Sequence, residues 1–393
     1  MEQQITRKPD NAFKKLTQFF IVDKVFLVSF IIAVISVSMG GIQTEFFDNK
    51  VIVTVFGLML VIAGFRSTGI LSYMGQTLVK RSKTTRQLVR FTTMLAFFFA
   101  VFFTNDLTIL TILPLYLTIT REIKNRKSVY IGAAMIVPAC HTGSSLLPQG
   151  NPHNLYLYSF YQNPAHHLGQ SLTNLEFFKG TGLLWLAGFL LLNLACQFID
   201  NEPLVIETKV NKFNRLETSI FIALMILMAA AVFGYVNFYL AVAIVAVIVL
   251  FYRPELFKGV DYHLLLTFVF FFFFLIVGNI ANIQVLTDFI SNTFVGPQMS
   301  FLGTVFMSQI ISNIAAPILI SPFTPHAVSV VIGADIGGIG TMVASMATLI
   351  AYKIIRVQAR GETAGFVKYF ALVNAGFLAV LVVVGLIIVS FGI

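Results

Sequence analysis

The sequence predicts an all-α polytopic membrane protein built from two inverted-topology repeats, each with a re-entrant helical hairpin and a broken transmembrane helix. Composition is the first observation, because 57% of the 393 residues are hydrophobic and only 11% are charged, which is too apolar for a soluble globular protein. The second is a succession of apolar runs near the length of about 20 residues that crosses a bilayer as a helix. The third is that Lys and Arg gather in short loops between these runs. The net charge of +9 therefore reflects insertion direction, and we expect no nucleic-acid partner.

Uninterrupted apolar runs predict the regular membrane spans. These runs are 22–40, 51–65, 181–199, 216–234, 236–252, 263–281 and 369–391. Lys and Arg are frequent before the first span and in three loops, which are 66–90, 121–127 and 353–368. They are absent from 41–49, 161–178 and 282–300. The positive-inside rule then predicts a multi-pass protein of the plasma or inner membrane, surrounded by lipid, with a cytoplasmic N-terminus and cytoplasmic basic loops.

Two further apolar segments must enter and leave on one side of the membrane under this assignment. Segment 88–120 lies between two cytoplasmic loops, and segment 297–322 begins and ends outside. Both are therefore predicted to be re-entrant hairpins. The polar residues at their tips are Thr104, Asn105 and Asp106 in FFTNDLTIL, and Ser312 and Asn313 in SQIISNIAAP.

Each predicted hairpin is followed by a span that glycine and proline interrupt. In 129–163 the sequence GSSLLPQG breaks the helix. Asn151–Pro152 restarts it, since Asn is a favoured N-cap and Pro a favoured first helical residue. In 327–352 the first half-helix is predicted to end at Gly337–Gly338, and Thr341 to cap the second. Non-helical backbone persists at membrane depth only inside protein or beside a watery cavity, so both breaks should line such a cavity.

The order of hairpin and broken span occurs twice, entered from the inside the first time and from the outside the second. This order predicts an N-terminal repeat over 1–215, a C-terminal repeat over 235–393 and a linking helix over 216–234. Interrupted spans at corresponding positions of two halves point to a transporter's binding site near the bilayer midplane.

Helix ends supply the chemistry of the predicted site. Half-helix N-termini near Asn151 and Thr341 present N–H groups and positive dipole ends, which suit an anion. Opposing C-terminal ends near Gly143 and Gly337 suit a small cation such as Na⁺. The predicted substrate contacts are Asn105, Gly150, Asn151, Asn154, Ser312, Asn313 and Thr341. The predicted contacts of the coupling ion are Thr104, Asn105, Asp106, Ser144, Asn313, Asp335 and Gly337, and Na⁺, if it is that ion, should lie near Thr104, Asn105, Ser312 and Asn313.

Two aspartates and two histidines lie inside the predicted membrane segments. Asp106 and Asp335 each carry a cost of roughly 2.5–3.5 kcal/mol on insertion scales, so a function is the default interpretation. Each could carry a proton or help to hold Na⁺, or it could cap a half-helix or pair with an asparagine. His141 and His153 flank the first break and could donate to a carboxylate, although a histidine inside a helix is more often a packing residue.

Four motifs together resemble a known group. FFTND, GSSLLPQGNPHNLYLY, SQIISNIAAP and GADIGGIGTMVASMATLI are similar to the hairpin-tip and broken-helix motifs of the ion transporter superfamily. That group includes divalent anion/sodium symporters for dicarboxylates and citrate, arsenite-efflux permeases and sodium/proton antiporters. The resemblance implies a secondary active transporter that works by alternating access, with a scaffold that can form a homodimer.

The motifs indicate two substrate classes. The acidic third position of Thr104–Asn105–Asp106 and the GAD run from Gly333 look closer to arsenite permeases, whereas GNPHN resembles the loop of carboxylate symporters. The favoured function is transport of a small carboxylate or oxyanion coupled to Na⁺ or H⁺, and the alternative is metalloid efflux driven by the proton gradient. Neither an oriented acid nor a nucleophile elbow accompanies Ser144, so we expect no enzyme and no cofactor beyond the coupling ion.

Overall fold

The computed structural model describes residues 24–43, 46–163, 171–204, 210, 212–257, 262–280, 282–359 and 361–392. Over these ranges the chain forms helices and no strand, which confirms the predicted all-α class. The basic residues that precede residue 24 lie outside the described part of the chain, so the structure does not address their predicted cytoplasmic position.

The first half contains an additional short helix, α3, within the basic loop 66–90, where hydropathy predicted no span. A 3₁₀ turn at Pro148–Gly150 separates α6 from α7. The helices are α1 (Lys24–Gly40), α2 (Asn49–Ser67), α3 (Ile70–Lys80), α4 (Thr85–Phe103), α5 (Asn105–Ile119), α6 (Arg126–Ser144), α7 (Pro152–Gln162) and α8 (Asn174–Gln197).

The second half begins with α9, the helix predicted to link the repeats. Its helices are α9 (Arg215–Val232), α10 (Phe238–Tyr252), α11 (Tyr262–Ile280), α12 (Gln284–Thr293), α13 (Pro297–Ile311), α14 (Ala315–Ile320), α15 (Ala327–Gly337), α16 (Met346–Gln358) and α17 (Thr363–Ser390).

Several of these helices can cross a bilayer. Within the described residues, five are long and apolar enough by length and composition, namely α2, α4, α8, α9 and α17. Large apolar side chains cover their outer surfaces, such as Leu190 of α8, Ile226 of α9 and Val383 of α17, each more than half exposed. An apolar exterior of this kind is typical of a surface that faces lipid.

Two loops predicted to be cytoplasmic, 66–90 and 121–127, meet at one end of the helix bundle, where both contact the segment 200–202. The Asn125 Nδ2 atom donates hydrogen bonds to Asp200 Oδ2 at 2.9 Å and to Glu202 Oε1 at 2.8 Å. The backbone N–H of Thr85 donates to the Glu202 carbonyl at 2.9 Å. We call this end of the bundle the basic face.

The loop before α17 joins the same face through an ion pair. Arg126, at the start of α6, pairs with Glu362, and the Tyr130 hydroxyl donates to the same carboxylate at 3.0 Å. Burial raises the pKa of the Glu362 carboxyl, but the hydrogen bonds from Arg126 and Tyr130 lower it by more, so its pKa lies below the usual value. The ion pair therefore holds α6 and α17 together at their basic ends.

Other contacts define the opposite end of the bundle. The Tyr161 hydroxyl at the end of α7 donates to the Thr324 carbonyl at 3.0 Å. The hydroxyls of Ser300, in the first turn of α13, and Thr324 lie 2.8 Å apart. Gln298 Nε2 donates to Ser390 Oγ, at the end of α17, at 3.4 Å. The start of α13 and the loop after α14 thus lie on the face opposite the basic one.

These contacts show that the two helical hairpins open on opposite faces. Helix α4 begins at the basic face, and α5 returns there, because Arg126 Nη1 donates to the Thr120 carbonyl at 2.9 Å. The chain therefore reverses at Thr104. The α13–α14 hairpin starts and ends at the opposite face and reverses at Ser312. A two-fold relation between the halves stays a prediction.

Candidate functional site

The two hairpins turn on residues with a strained backbone. Thr104 has φ 63° and ψ 154°, and Ser312 has φ 95° and ψ 148°. Among the described residues these two alone are non-glycine residues with positive φ. That region is nearly restricted to glycine and costs about 1–3 kcal/mol for other residues, and such strain concentrates at functional sites. In each hairpin an asparagine, Asn105 or Asn313, directly follows the strained residue.

A narrow crevice, with no room for a water molecule in this conformation, lies where the tips meet the broken helices. Helices α5, α7, α14 and α16 all begin at its walls, so several positive dipole ends converge on one small volume, an arrangement that suits an anion. Asn105, Asp106 and Asn313 are 4%, 7% and 2% exposed, which means that this conformation closes the crevice to both faces. The lining residues are Asn105, Asp106, Pro152, His153, Asn313, Ile314, Ser345 and Met346.

The first helix break is held by close backbone contact. Helix α6 ends at Ser144, and a Cβ atom on Gly150 would lie 2.2 Å from the Ser144 carbonyl oxygen. Asn151 occupies the N-cap position of α7 with an extended backbone, and Pro152 is the first helical residue. The Asn151 side chain makes no capping bond, and its Nδ2 atom donates to a partner in the other half of the chain.

That partner is Asp335, near the end of α15. Its carboxylate, 1% exposed, accepts hydrogen bonds from Asn151 Nδ2 at 2.9 Å and from Asn154 Nδ2 at 3.1 Å to each oxygen. His153 Nε2 lies 3.1 Å from the same carboxylate. A buried carboxylate is very costly unless it is paired and hydrogen-bonded. This cluster, which we call the Asp335 network, satisfies that requirement and ties α7 to α15.

The structure corrects the prediction for the second break. Thr341 does not cap the second half-helix, because α16 begins at Met346 and Ser345 Oγ accepts the capping bond from Ala347 N at 3.1 Å. Thr341 is exposed, and its hydroxyl donates to the Gln309 carbonyl at 3.0 Å. Thr341 does not line the crevice in this conformation, and its predicted contact with substrate stays a prediction.

Gln309 is a residue that sequence reasoning missed. From α13 its Nε2 donates to the Gly337 carbonyl at 2.7 Å, and its Oε1 accepts from Thr341 N at 2.9 Å. One glutamine side chain thereby satisfies backbone groups on both sides of the break. Unpaired backbone groups are costly at membrane depth, so Gln309 supports an irregular segment that lacks its own helical bonds.

The structure does not bring all the predicted substrate contacts together at one site. Asn105 and Asn313 line the crevice, whereas Asn151 and Asn154 lie behind it in the Asp335 network. Gly150 packs against the Ser144 carbonyl at the first break. Ser312 forms the second tip, where its Oγ accepts from Ile314 N at 3.2 Å.

The predicted contacts of the coupling ion are similarly divided. Asp106 lines the crevice and Thr104 forms the first tip. Ser144 Oγ donates to the His141 carbonyl at 3.1 Å, and the Gly337 carbonyl accepts from Gln309. Asp335 does not itself line the crevice, but its carboxylate lies 3.1 Å from Nε2 of His153, which does. His153 and Ser345 also line the crevice. The sequence indicated His153 only as a residue that could donate to a carboxylate, and Ser345 was not predicted.

Comparison with known proteins identifies the family. Residues 19–330 match the model of the citrate transporter family, CitMHS. The chain belongs to this citrate transporter family. The resemblance drawn from the four motifs is thus confirmed, and the apolar helices of the fold make the chain a multi-pass membrane transporter of that family.

Two curated proteins are similar in sequence to this citrate transporter family member. The uncharacterized transporter MJ0456 of Methanocaldococcus jannaschii is 31% identical over 314 residues, which cover 78% of this chain and 80% of the relative. The inner membrane protein YbiR of Escherichia coli is 27% identical over 317 residues, with the same shares covered. A solved structure, the YdaH transporter of Alcanivorax borkumensis, described as having an unusual topology, matches with a TM-score of 0.52 and 15% identity over 88% of this chain and 85% of that one. At this identity the match supports the fold alone.

Proposed function

We propose that this citrate transporter family member is a secondary active transporter of a small carboxylate, coupled to Na⁺ or H⁺ and working by alternating access. The observation that carries the proposal is the convergence of several helix N-termini and two tip asparagines on one closed crevice. Helix N-termini bind carboxylates through N–H groups and dipoles, and the asparagine amides add donors. We further propose a cell membrane location, with the basic face in the cytoplasm as the positive-inside rule requires.

Asp106 provides an electrostatic route to coupling. Its carboxyl lines the same crevice as the helix N-termini, so an ionised Asp106 repels an anion that enters. Neutralisation by a bound Na⁺ or a proton removes this repulsion in a site where screening is weak. The anion is therefore expected to bind tightly only together with the cation, which is the requirement for coupled movement. Asp335, with hydrogen-bond donors from three side chains, is better suited to holding α7 in place than to exchanging an ion.

Asp106 also favours the second candidate, metalloid efflux. A carboxylate at the crevice is compatible with a neutral solute such as arsenous acid, which does not require prior neutralisation. A thermal-shift screen of the purified protein separates the two candidates, since a ligand stabilises the state that it binds. We expect citrate or succinate to raise the melting temperature, by more when Na⁺ is present or the pH is lowered. A shift with arsenite or antimonite and none with the carboxylates or phosphate would favour efflux.

The tip asparagines should be essential for uptake. Asn105→Ala and Asn313→Ala are each expected to lower citrate uptake into proteoliposomes by about 10- to 100-fold, the range for losing a hydrogen bond to a charged group. Asn374→Ala is the matched control. Asn374 is fully buried, but its amide donates only to its own helix, to the Phe370 carbonyl at 2.9 Å. If both tip variants take up citrate at the rate of the natural protein, the crevice is not the substrate site.

Asp106 should determine the ion dependence of transport. The Asp106→Asn variant carries a neutral amide at the crevice and is expected to lose the dependence of citrate affinity on Na⁺ or on pH, whichever the natural protein shows. The measurement is citrate uptake across a series of Na⁺ concentrations and pH values. Asp288→Asn, at an exposed position of α12, should leave both dependences intact. If Asp106→Asn retains the natural ion dependence, coupling resides elsewhere.

A further inference from the structure

His141, in the last turn of α6, has one ring nitrogen with a defined partner. Its Nδ1 lies 3.4 Å from Asn105 Nδ2. The orientation of the Asn105 amide follows from its other bond, because Asn105 Oδ1 accepts from Asp106 N at 2.8 Å. The atom facing His141 is therefore the NH₂ group, which can only donate. Nδ1 must then be the acceptor, and the proton of the neutral ring is on Nε2.

The Nε2–H group of His141 faces no acceptor in the described part of the chain, and the whole residue is buried. Asn313 Nδ2, from the other hairpin, is a second buried donor without a partner among the described residues. Buried polar groups are nearly always paired, and each exception calls for an explanation. Two unpaired donors from different halves of the chain therefore indicate a missing acceptor.

The two side chains also lie close to each other. A Cβ atom placed on Gly338 would be 2.4 Å from His141 Cε1, 2.5 Å from His141 Nδ1 and 2.6 Å from Asn313 Nδ2. Both side chains thus pack directly against the same glycine at the second break. Asn105, which fixes the His141 tautomer, lines the crevice together with Asn313.

We propose that His141 is a specificity-determining residue, whose neutral Nε2–H donates to a carboxylate oxygen of the solute while Asn313 Nδ2 donates to another. This inference rests on the proposed function and names the recognition chemistry of that site. A carboxylate presents only acceptors and so matches two donors. Protonation of His141 would set a second N–H against the Asn105 NH₂ group, so the ring acts as a neutral, oriented donor.

A matched pair of substitutions tests this role. Glutamine can place its NH₂ group near the position of Nε2, whereas the shorter asparagine reaches only as far as Nδ1. Citrate affinity, measured by calorimetry on the purified full-length protein, is expected to stay within about threefold of the natural value for His141→Gln. It should fall by about 10- to 100-fold for His141→Asn, the range for a lost hydrogen bond to a charged group. Equal affinity in both variants and the natural protein overturns the proposal.

A second variant covers the case in which His141→Asn does not fold, as judged by its melting temperature without ligand. Asn313→Asp exchanges the unpaired NH₂ group for an oxygen of similar size and removes no side-chain hydrogen bond that the structure shows. It should fold and bind citrate at least about tenfold more weakly, and natural affinity in this variant also overturns the proposal. If the natural protein binds none of citrate, succinate and phosphate, the proposed function is wrong, and this inference is wrong with it.

Discussion

The Asp335→Ala variant is expected to be about 3–5 kcal/mol less stable than the natural protein and to transport no solute. This is the typical cost of removing one partner of a buried charged pair. The substitution leaves the NH₂ groups of Asn151 and Asn154 and the ring of His153 without the carboxylate that they contact. These residues are 1% exposed or less, so water cannot replace the lost bonds without opening the packing between α7 and α15.

The measurement is thermal unfolding of the purified protein, together with uptake into proteoliposomes. Asp288→Ala is the matched control, since Asp288 is exposed and surface substitutions usually change stability by no more than about 0.5 kcal/mol. Asp335→Asn separates a structural role from an ion-binding one. If Asp335 holds the coupling ion, as the sequence predicted, this variant should melt normally and change only its ion dependence. If the Asp335 network positions α7, the variant should melt earlier, because an amide nitrogen would face one of the three donors.

Much of the architecture could be predicted because membranes impose simple rules. Helices must satisfy their own backbone groups in lipid, so apolar runs gave the positions of most spans. The positions of Lys and Arg predicted that several loops share one side of the membrane, and the structure places these loops together at the basic face. The first break was visible because Pro148 and Pro152 lie within one short segment and cannot continue a regular helix.

The second break shows where local rules fail. Thr341 and Ser345 are both suitable N-cap residues, and nothing near them in the sequence decides between them. Contacts with Gln309 of α13 decide between them. Its Oε1 atom accepts a hydrogen bond from the Thr341 backbone N–H, and its backbone carbonyl accepts one from the Thr341 hydroxyl. These contacts keep Thr341 outside the helix and leave Ser345 as the cap.

The Asp335 network could not be predicted for a related reason. Asp335 and His153 are separated by 182 positions, and a single sequence carries no signal for such a pair. Sequence reasoning therefore left open whether Asp335 contacts the coupling ion or pairs with an asparagine, and it could not name Asn151 and Asn154 as the partners. The tips were easier, since polar residues between two apolar limbs mark a turn, but the strained backbone of Thr104 and Ser312 became visible only in the structure.

The Gly150→Val variant is expected to lose transport and at least about 1–3 kcal/mol of stability, the usual cost of overpacking a buried site. A Cβ atom on Gly150 would approach the Ser144 carbonyl oxygen to 2.2 Å and the Ser144 carbonyl carbon to 3.0 Å. Both are backbone atoms, so no side-chain rotation relieves the clash. The end of α6 or the start of α7 must move instead.

Movement of either helix end should disturb the site on both sides. Asn151 follows Gly150 directly and would lose its alignment with Asp335, while His141 lies one turn before the end of α6. Uptake and thermal unfolding test this expectation, with Gly182→Val of α8 as the control, because no atom outside its own helix lies within 4 Å of a Cβ there. Natural uptake by Gly150→Val would mean that Ser144 can shift without displacing Asn151. The first break would then be a tolerant loop, and the orientation of α7 toward the crevice would depend on the Asp335 network alone.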